Sequence, residues 1–273
     1  MGQRSSNTSY FYFANALSPV HSGGAGGNYI ADFAIQREVK EQIPKIDSTS
    51  WKGSVRRVIE QKDDLSYDWT FSDLKLLFFP IGSSKHSFLL VTSSKLLREM
   101  KMILKTCVVD KEEGYLKDLD LLIEKADYLI ANQISCCFED KNILLGQYPY
   151  KVEKVEKEVQ GAMKRLANRI GQPVKRLALI PHKELIDIVF YETEYMTRVK
   201  LGDDKVVEDK GLFIEEYLPE EAILYGTVSY FYNILKSDEE NKKILSNIKM
   251  PEKVQIGKNS TLGKGLVQLR RWK

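Results

Sequence analysis

The sequence predicts an α+β fold, and three patterns carry that prediction. Its first hundred residues read as strand, helix, strand, strand, helix. Residues 152–170 place apolar side chains every three to four positions, the period of a helix with one buried face. Two apolar runs on either side of Gly202-Asp203-Asp204 have the form of a long hairpin.

Tyr10 to Leu17 is aromatic-rich and stops at Ser18-Pro19, as a strand does. Trp51, Val55, Val58 and Ile59 share one helical face, with Ser48, Thr49 or Ser50 available as the cap. Leu74 to Phe79 and Phe88 to Thr92 are short strands joined by the turn-rich Pro80 to Ser84. Ser93 or Ser94 then caps a helix carrying Leu96, Leu97, Met100, Ile103 and Leu104 on one side. That order opens a ferredoxin-like (RRM-like) fold, which needs one more strand to close. Residues 109–149 show no clear period. Val152, Val155, Val159, Met163, Leu166 and Ile170 form one helical face ending at Gly171 and Pro173. Leu177 to Ile180 reads as a buried strand, and Tyr195 to Leu201 with Lys205 to Tyr217 as the hairpin arms. Ile223 to Phe231 follows as a strand and Ser237 to Ile248 as a helix. Lys253 to Ile256 and Leu266 to Trp272 are the last strands, around a second glycine-rich loop. No low-complexity linker divides the chain, so one elaborated domain is expected.

With 43% hydrophobic residues, 273 residues are enough to bury a core. A net charge of +3 does not by itself demand a nucleic-acid partner, so such a partner requires a local basic face. Three cysteines, two of them adjacent (Cys136, Cys137), make neither a disulfide framework nor a paired zinc motif, and suit a reducing cytoplasm. Gly2 and Ser6 satisfy a myristoylation pattern, but no second membrane signal follows. The leader lacks the apolar stretch of a secretory signal, and no apolar run reaches membrane-spanning length.

The chemistry concentrates between His21 and Arg57. Gly23, Gly24, Gly26 and Gly27 allow close backbone approach. Asp32 is the one acid among the first residues of this loop, before the patch Gln36, Arg37 and Glu38. The Ser48-Thr49-Ser50 helix start, with Lys52, Gly53, Arg56 and Arg57, suits a phosphate. A loop carboxylate such as Asp32 is often merely solvated; it can also bind a divalent ion or take a proton from a ribose 2′-hydroxyl. Glu215 and Glu216 carry the same two readings, and His21 either contacts a ligand or makes a structural hydrogen bond. The ending around Gly257 and Gly263-Lys264-Gly265 is not a P-loop, because its spacing is one residue too long and a strand follows where a helix is required. It is either a flexible hairpin loop or a cradle for a phosphate backbone.

His21, the glycine run, Asp32, Ile35-Gln36-Arg37-Glu38, Pro44 and Ser50-Trp51-Lys52-Gly53 with Arg56 come in an order that resembles the RAMP superfamily of CRISPR proteins. More narrowly it resembles the backbone subunit of type III-B (Cmr) effectors. The likeness continues through residues 211–219 and 255–266, so it covers nearly the whole chain. Ala34 stands where the family usually has proline, Trp51 where it has leucine, and Lys258 where a second glycine is common. Gly23-Gly24-Ala25 replaces the usual G-S-G.

The resemblance implies a single RAMP domain. Its palm would occupy about 9–108 and 175–273, an inserted helical region about 109–174, and a β-hairpin thumb about 193–218. Copies would stack in a filament on CRISPR RNA beside other Cmr subunits and cut paired target RNA at regular intervals. The residue matching Asp32 would do so with a divalent metal ion (Mg2+ or Mn2+), by attack of the 2′-hydroxyl on its own phosphate. Glu215 and Glu216 are candidate assisting carboxylates. RNA contacts would fall to His21, Gly23, Gly24, Gln36, Arg37, Ser50, Lys52, Gly53, Arg56, Gly263, Lys264 and Gly265. The glycine-rich loop leads us to expect that Asp32 becomes ordered only when target RNA is paired. The alternatives are a type III-A backbone, a non-cleaving guide-RNA scaffold, or a processing endonuclease with His21 as base.

Overall fold

The computed structural model describes residues 8–24, 26–59, 69–107, 113–202, 206–231, 236–241 and 250–272. Strand β1 (Thr8–Ala16) organises the palm. Its side chains alternate, Tyr12, Ala14 and Ala16 toward one core and Phe11 and Phe13 toward another, as the pleat requires. Helices cover both faces. One core receives α1 (Ser48–Val58) through Trp51 and Val55 and α5 (His182–Tyr191) through Leu185, Ile188 and Val189. The other receives α2 (Ser94–Cys107), α3 (Glu113–Asp127) and α4 (Lys157–Ile170).

The opening order predicted from sequence is present as β1, α1, β4 (Leu74–Gly82), β5 (Phe88–Thr92) and α2. The closing strand is β12 (Ile223–Tyr230), which lies between β1 and β4 and runs antiparallel to both. Where β12 meets β4 the register slips by one residue between Ile223 and Leu224. Two successive β4 residues, Leu77 and Phe78, consequently face the same core, so Phe79 and Ile81 keep the side already used by Leu74 and Leu76. Beyond β1, β14 (Leu266–Arg271) and β13 (Lys253–Gln255) complete this end of the sheet. Two short strands, β2 (Lys45–Ile46) and β3 (Trp69–Phe71), pair with β4 and β12 and had no sequence signal strong enough to assign them.

The region expected to be a helical insertion contains α3 and α4 and also three strands. β6 (Gln133–Cys136), β7 (Asn142–Leu145) and β8 (Tyr148–Glu153) prolong the sheet through β9 (Leu177–Leu179), which runs parallel to β5. Runs of four to six residues show no readable period, so only their pairing partners decide them. Val152 had been counted on the helical face but belongs to β8. Helix α4 ends as predicted, at Gly171, whose φ of 74° suits a residue without Cβ. Helix α5 was not foreseen. Of the helix expected at Ser237 to Ile248, residues 238–241 are helical and 242–248 lie outside the described residues, as does the hairpin tip at 203–205. Among the described residues no helix is long and apolar enough to cross a membrane.

Candidate nucleic-acid interface

A two-stranded hairpin of β10 (Glu194–Leu201) and β11 (Val207–Tyr217) stands apart from the main sheet. Val199 and Leu212 are paired across it and both are exposed, as are Val206 and Val207. An apolar surface of this kind on a polar-flanked hairpin marks a contact site better than a misplaced core.

At its base the hairpin receives the glycine loop. Phe33 donates its N–H to the carbonyl of Ile214 at 3.1 Å, and Glu216 donates its N–H to the carbonyl of Phe33 at 2.9 Å. Asp32 Oδ2 accepts the N–H of Ile214 at 2.8 Å. The Phe33 and Phe213 rings meet edge to face, 5.4 Å between centroids. The loop aspartate is therefore fixed by main-chain bonds in the free chain, contrary to the expectation that it orders only with target RNA. Glycine content indicated freedom; the added bridge to β11 removes it.

Glu216 is fully buried beneath this loop. Its Oε2 accepts the N–H of Ile35 at 2.9 Å and the amide of Asn28 at 3.3 Å. Its Oε1 pairs with Arg37, which also donates to Thr193 Oγ1 at 3.0 Å and to the carbonyl of Gln42. Glu215 is buried on the other side of the strand, accepting from Tyr217 Oη at 2.6 Å, Asn259 Nδ2 at 2.8 Å and Arg198 Nε at 3.3 Å. Burial alone would raise its carboxyl, but these hydrogen bonds and the proximity of His21 hold it below the usual carboxylate range. Both glutamates were candidates for catalysis. Both brace the interior of the fold: Glu216 has donors on both of its oxygens, and Glu215 gathers its three donors on Oε2. Arg37 is likewise committed and does not reach outward.

His21 is also buried. Its Nδ1 donates to the carbonyl of Glu216 at 2.6 Å, and its buried Nε2 has no hydrogen-bond partner among the described residues. The carbonyl of His21 accepts the N–H of Lys258 at 3.0 Å. Thus the second glycine-rich element packs directly against the first. Gly257, at φ 85°, makes that approach possible, since a Cβ there would lie 2.1 Å from the carbonyl of His21. Gly27 plays the same part in the first loop, with Ala31 O 2.5 Å from a Cβ. These two glycines accommodate the chain's own backbone. Gly23, Gly24 and Gly263 remain exposed.

The start of α1 is occupied as well. Gln36 Oε1 accepts from Ser22 Oγ at 2.9 Å and from the N–H of Asp47 at 2.7 Å, and Ser22 Oγ lies 3.2 Å from Ser50 Oγ. The N–H of Ser48 goes to Asp73 Oδ1 at 3.0 Å, and Lys45 bridges Asp47 and Asp73 at 2.7 and 2.8 Å. The expected phosphate cradle at this helix N-terminus is therefore filled by protein carboxylates. Lys52 donates to the carbonyl of Trp69 at 2.9 Å, and burial together with Arg56 lowers its pKa. Gly53, Arg56 and Arg57 are exposed on the outer side of the helix. Lys264 and Lys258 lie over the rings of Tyr217 and Phe33, at 5.4 and 4.6 Å.

Asp32 is the carboxylate that remains open. It is exposed, and its Oδ1 has no partner among the described residues. No group of three or more His, Cys, Asp or Glu that could hold a metal occurs among the described residues. Asn28, Ser22, Thr193 and Asn259, which tie the site together, were missed in the sequence, where nothing but a polar loop position marks them.

Residues 13–268 match the RAMP superfamily. The "CRISPR system Cmr endoribonuclease Cmr4" of Pyrococcus furiosus is 27% identical over 93% of this chain and 92% of its own. Among solved structures, a chain of the type III-B Cmr-beta complex bound to cognate target RNA superimposes with a TM-score of 0.78 at 18% identity, covering 96% of both chains. Oligomeric Cmr4 from Pyrococcus furiosus gives 0.70 at 21% identity over 98% of both. The fold is thus the α+β, ferredoxin-like palm expected, and the chain belongs to the RAMP superfamily.

Proposed function

We propose that this chain is the backbone subunit of a type III-B CRISPR effector and cleaves target RNA paired to a guide. The observation that carries the reading is Asp32, an exposed carboxylate clamped at the base of a protruding hairpin with one oxygen open. An RNA duplex lying along the palm and split by the hairpin would bring a ribose to that oxygen. Asp32 would take the proton of the 2′-hydroxyl, whose oxygen attacks the adjacent phosphorus; the 5′-oxygen leaves, and a 2′,3′-cyclic phosphate remains. Buried Glu216 and Arg37 do not enter this step; they hold the loop that carries Asp32. The exposed apolar residues Val199 and Leu212 would meet bases, a contact that tolerates any sequence.

Sequence would be read by the guide and not by the protein, which fits a chain of net charge +3 with few uncommitted cations at the site. Guide RNA, further copies of this chain in a filament and other Cmr subunits complete the proposed assembly, working in the cytoplasm. A divalent ion would be held by Asp32 together with phosphate oxygens of the RNA and water. The test is a cleavage assay with guide and labelled complementary target. Evenly spaced products that vanish when the hairpin is shortened, and that stop on chelation, support the reading. No cleavage in the assembled complex points to a scaffold, and chelator-resistant cleavage removes the metal.

A further inference from the structure

We propose that the groove between the glycine loop and the C-terminal end of α5 holds an unstacked nucleobase of the RNA against the ring of Phe190. This rests on the RNA-binding reading above and adds a contact absent from it. The groove is walled by Gly23, Gly24 and Gly26 on one side and by Phe190 and Tyr195 on the other. Two cations line it, and both are already neutralised, Arg37 by Glu216 and Lys45 by Asp47 and Asp73. Asp47 itself forms part of the wall. A phosphate entering here would find a carboxylate and no uncommitted guanidinium or ammonium, whereas a neutral planar ring meets no such penalty.

Phe190 supplies what such a ring needs. Helix α5 buries Leu185, Ile188 and Val189, yet Phe190 is 44% exposed, and its one ring neighbour among the described residues is Tyr191 at 5.2 Å. Its ring therefore does not serve the core. Tyr29, also on the groove, is fully exposed. Stacking on an aromatic face requires no particular base, which matches a protein that must follow any guide.

The experiment measures binding of the full-length chain to single-stranded RNA carrying 2-aminopurine, over a range of salt concentrations. Phe190→Ala is expected to weaken binding about 5- to 150-fold, the range of one base–aromatic stack, with an unchanged salt slope. Phe190→Trp should restore affinity and quench the 2-aminopurine. On RNA made of abasic sugars, wild type and Phe190→Ala should bind alike. Unchanged affinity for Phe190→Ala, a flattened salt slope, or an equal loss on abasic RNA overturns the proposal. So does weakened self-association of the RNA-free variant with RNA affinity intact, which would make the groove a protein contact. Wild-type protein that binds no RNA at all overturns the functional reading itself, a result distinct from any of these.

Discussion

Asp32 accepts a hydrogen bond from the main-chain N–H of Ile214, 2.8 Å away and 182 residues later in the sequence. The candidate catalytic loop is thereby fastened to the strand that forms the hairpin, and the two positions are set together. Phe33 and Glu216 repeat the connection on either side. The distance in sequence explains why neither segment alone announces a site.

The buried pair of Arg37 and Glu216 should be a large contributor to this arrangement. Glu216→Ala leaves a guanidinium and the N–H of Ile35 unpaired in the interior, and such a loss costs roughly 3–5 kcal/mol. Urea denaturation of the variant should show a clearly lower midpoint. A midpoint equal to wild type would mean that the loop is held by other means.

Glu215 makes the stability depend on acid. Its folded pKa is lowered, so the stability it contributes is complete above the usual carboxylate range and is lost as pH falls through the folded value. Wild type should lose more stability between neutral pH and about pH 3 than Glu215→Gln does. Parallel pH–stability curves would remove Glu215 as the source.

Arg56 stands exposed, while Lys52 on the same helix is tethered to Trp69. Arg56→Ala should therefore lower the slope of log affinity against log salt by about 0.7–0.9, the share of one phosphate contact, regardless of guide sequence. Lys52→Ala should change it less. A filter-binding titration that ranks them the other way places the RNA path nearer Trp69.

Much of the fold was legible because its longer elements repeat one face for many residues, as Val159, Met163, Leu166 and Ile170 do on α4. The strands at 133–153 were not, since four-residue runs such as Gln133–Cys136 owe their state to partners far along the chain. At the site, residue type indicated the right neighbourhood but not which groups stay open. Arg37, Gln36 and Lys52 look like RNA ligands in one dimension, and each is already bonded to protein. Glu215 and Glu216 look like a solvated pair and are internal. Commitment of a polar group depends on what folds over it, and here the covering segments lie far apart in the chain, 182 residues between Asp32 and Ile214.

The account depends most on Asp32, and Asp32→Asn in the assembled complex tests it most directly. The amide cannot take a proton from the 2′-hydroxyl, so target cleavage should fall by about 10²–10⁴-fold, the usual worth of a general base. Target binding should persist, because the substitution removes no cation that could meet a phosphate. A target with one 2′-deoxy sugar at the cut site should resist wild type to the same degree. Cleavage by Asp32→Asn at the wild-type rate, or cleavage of the deoxy target, would contradict the assignment.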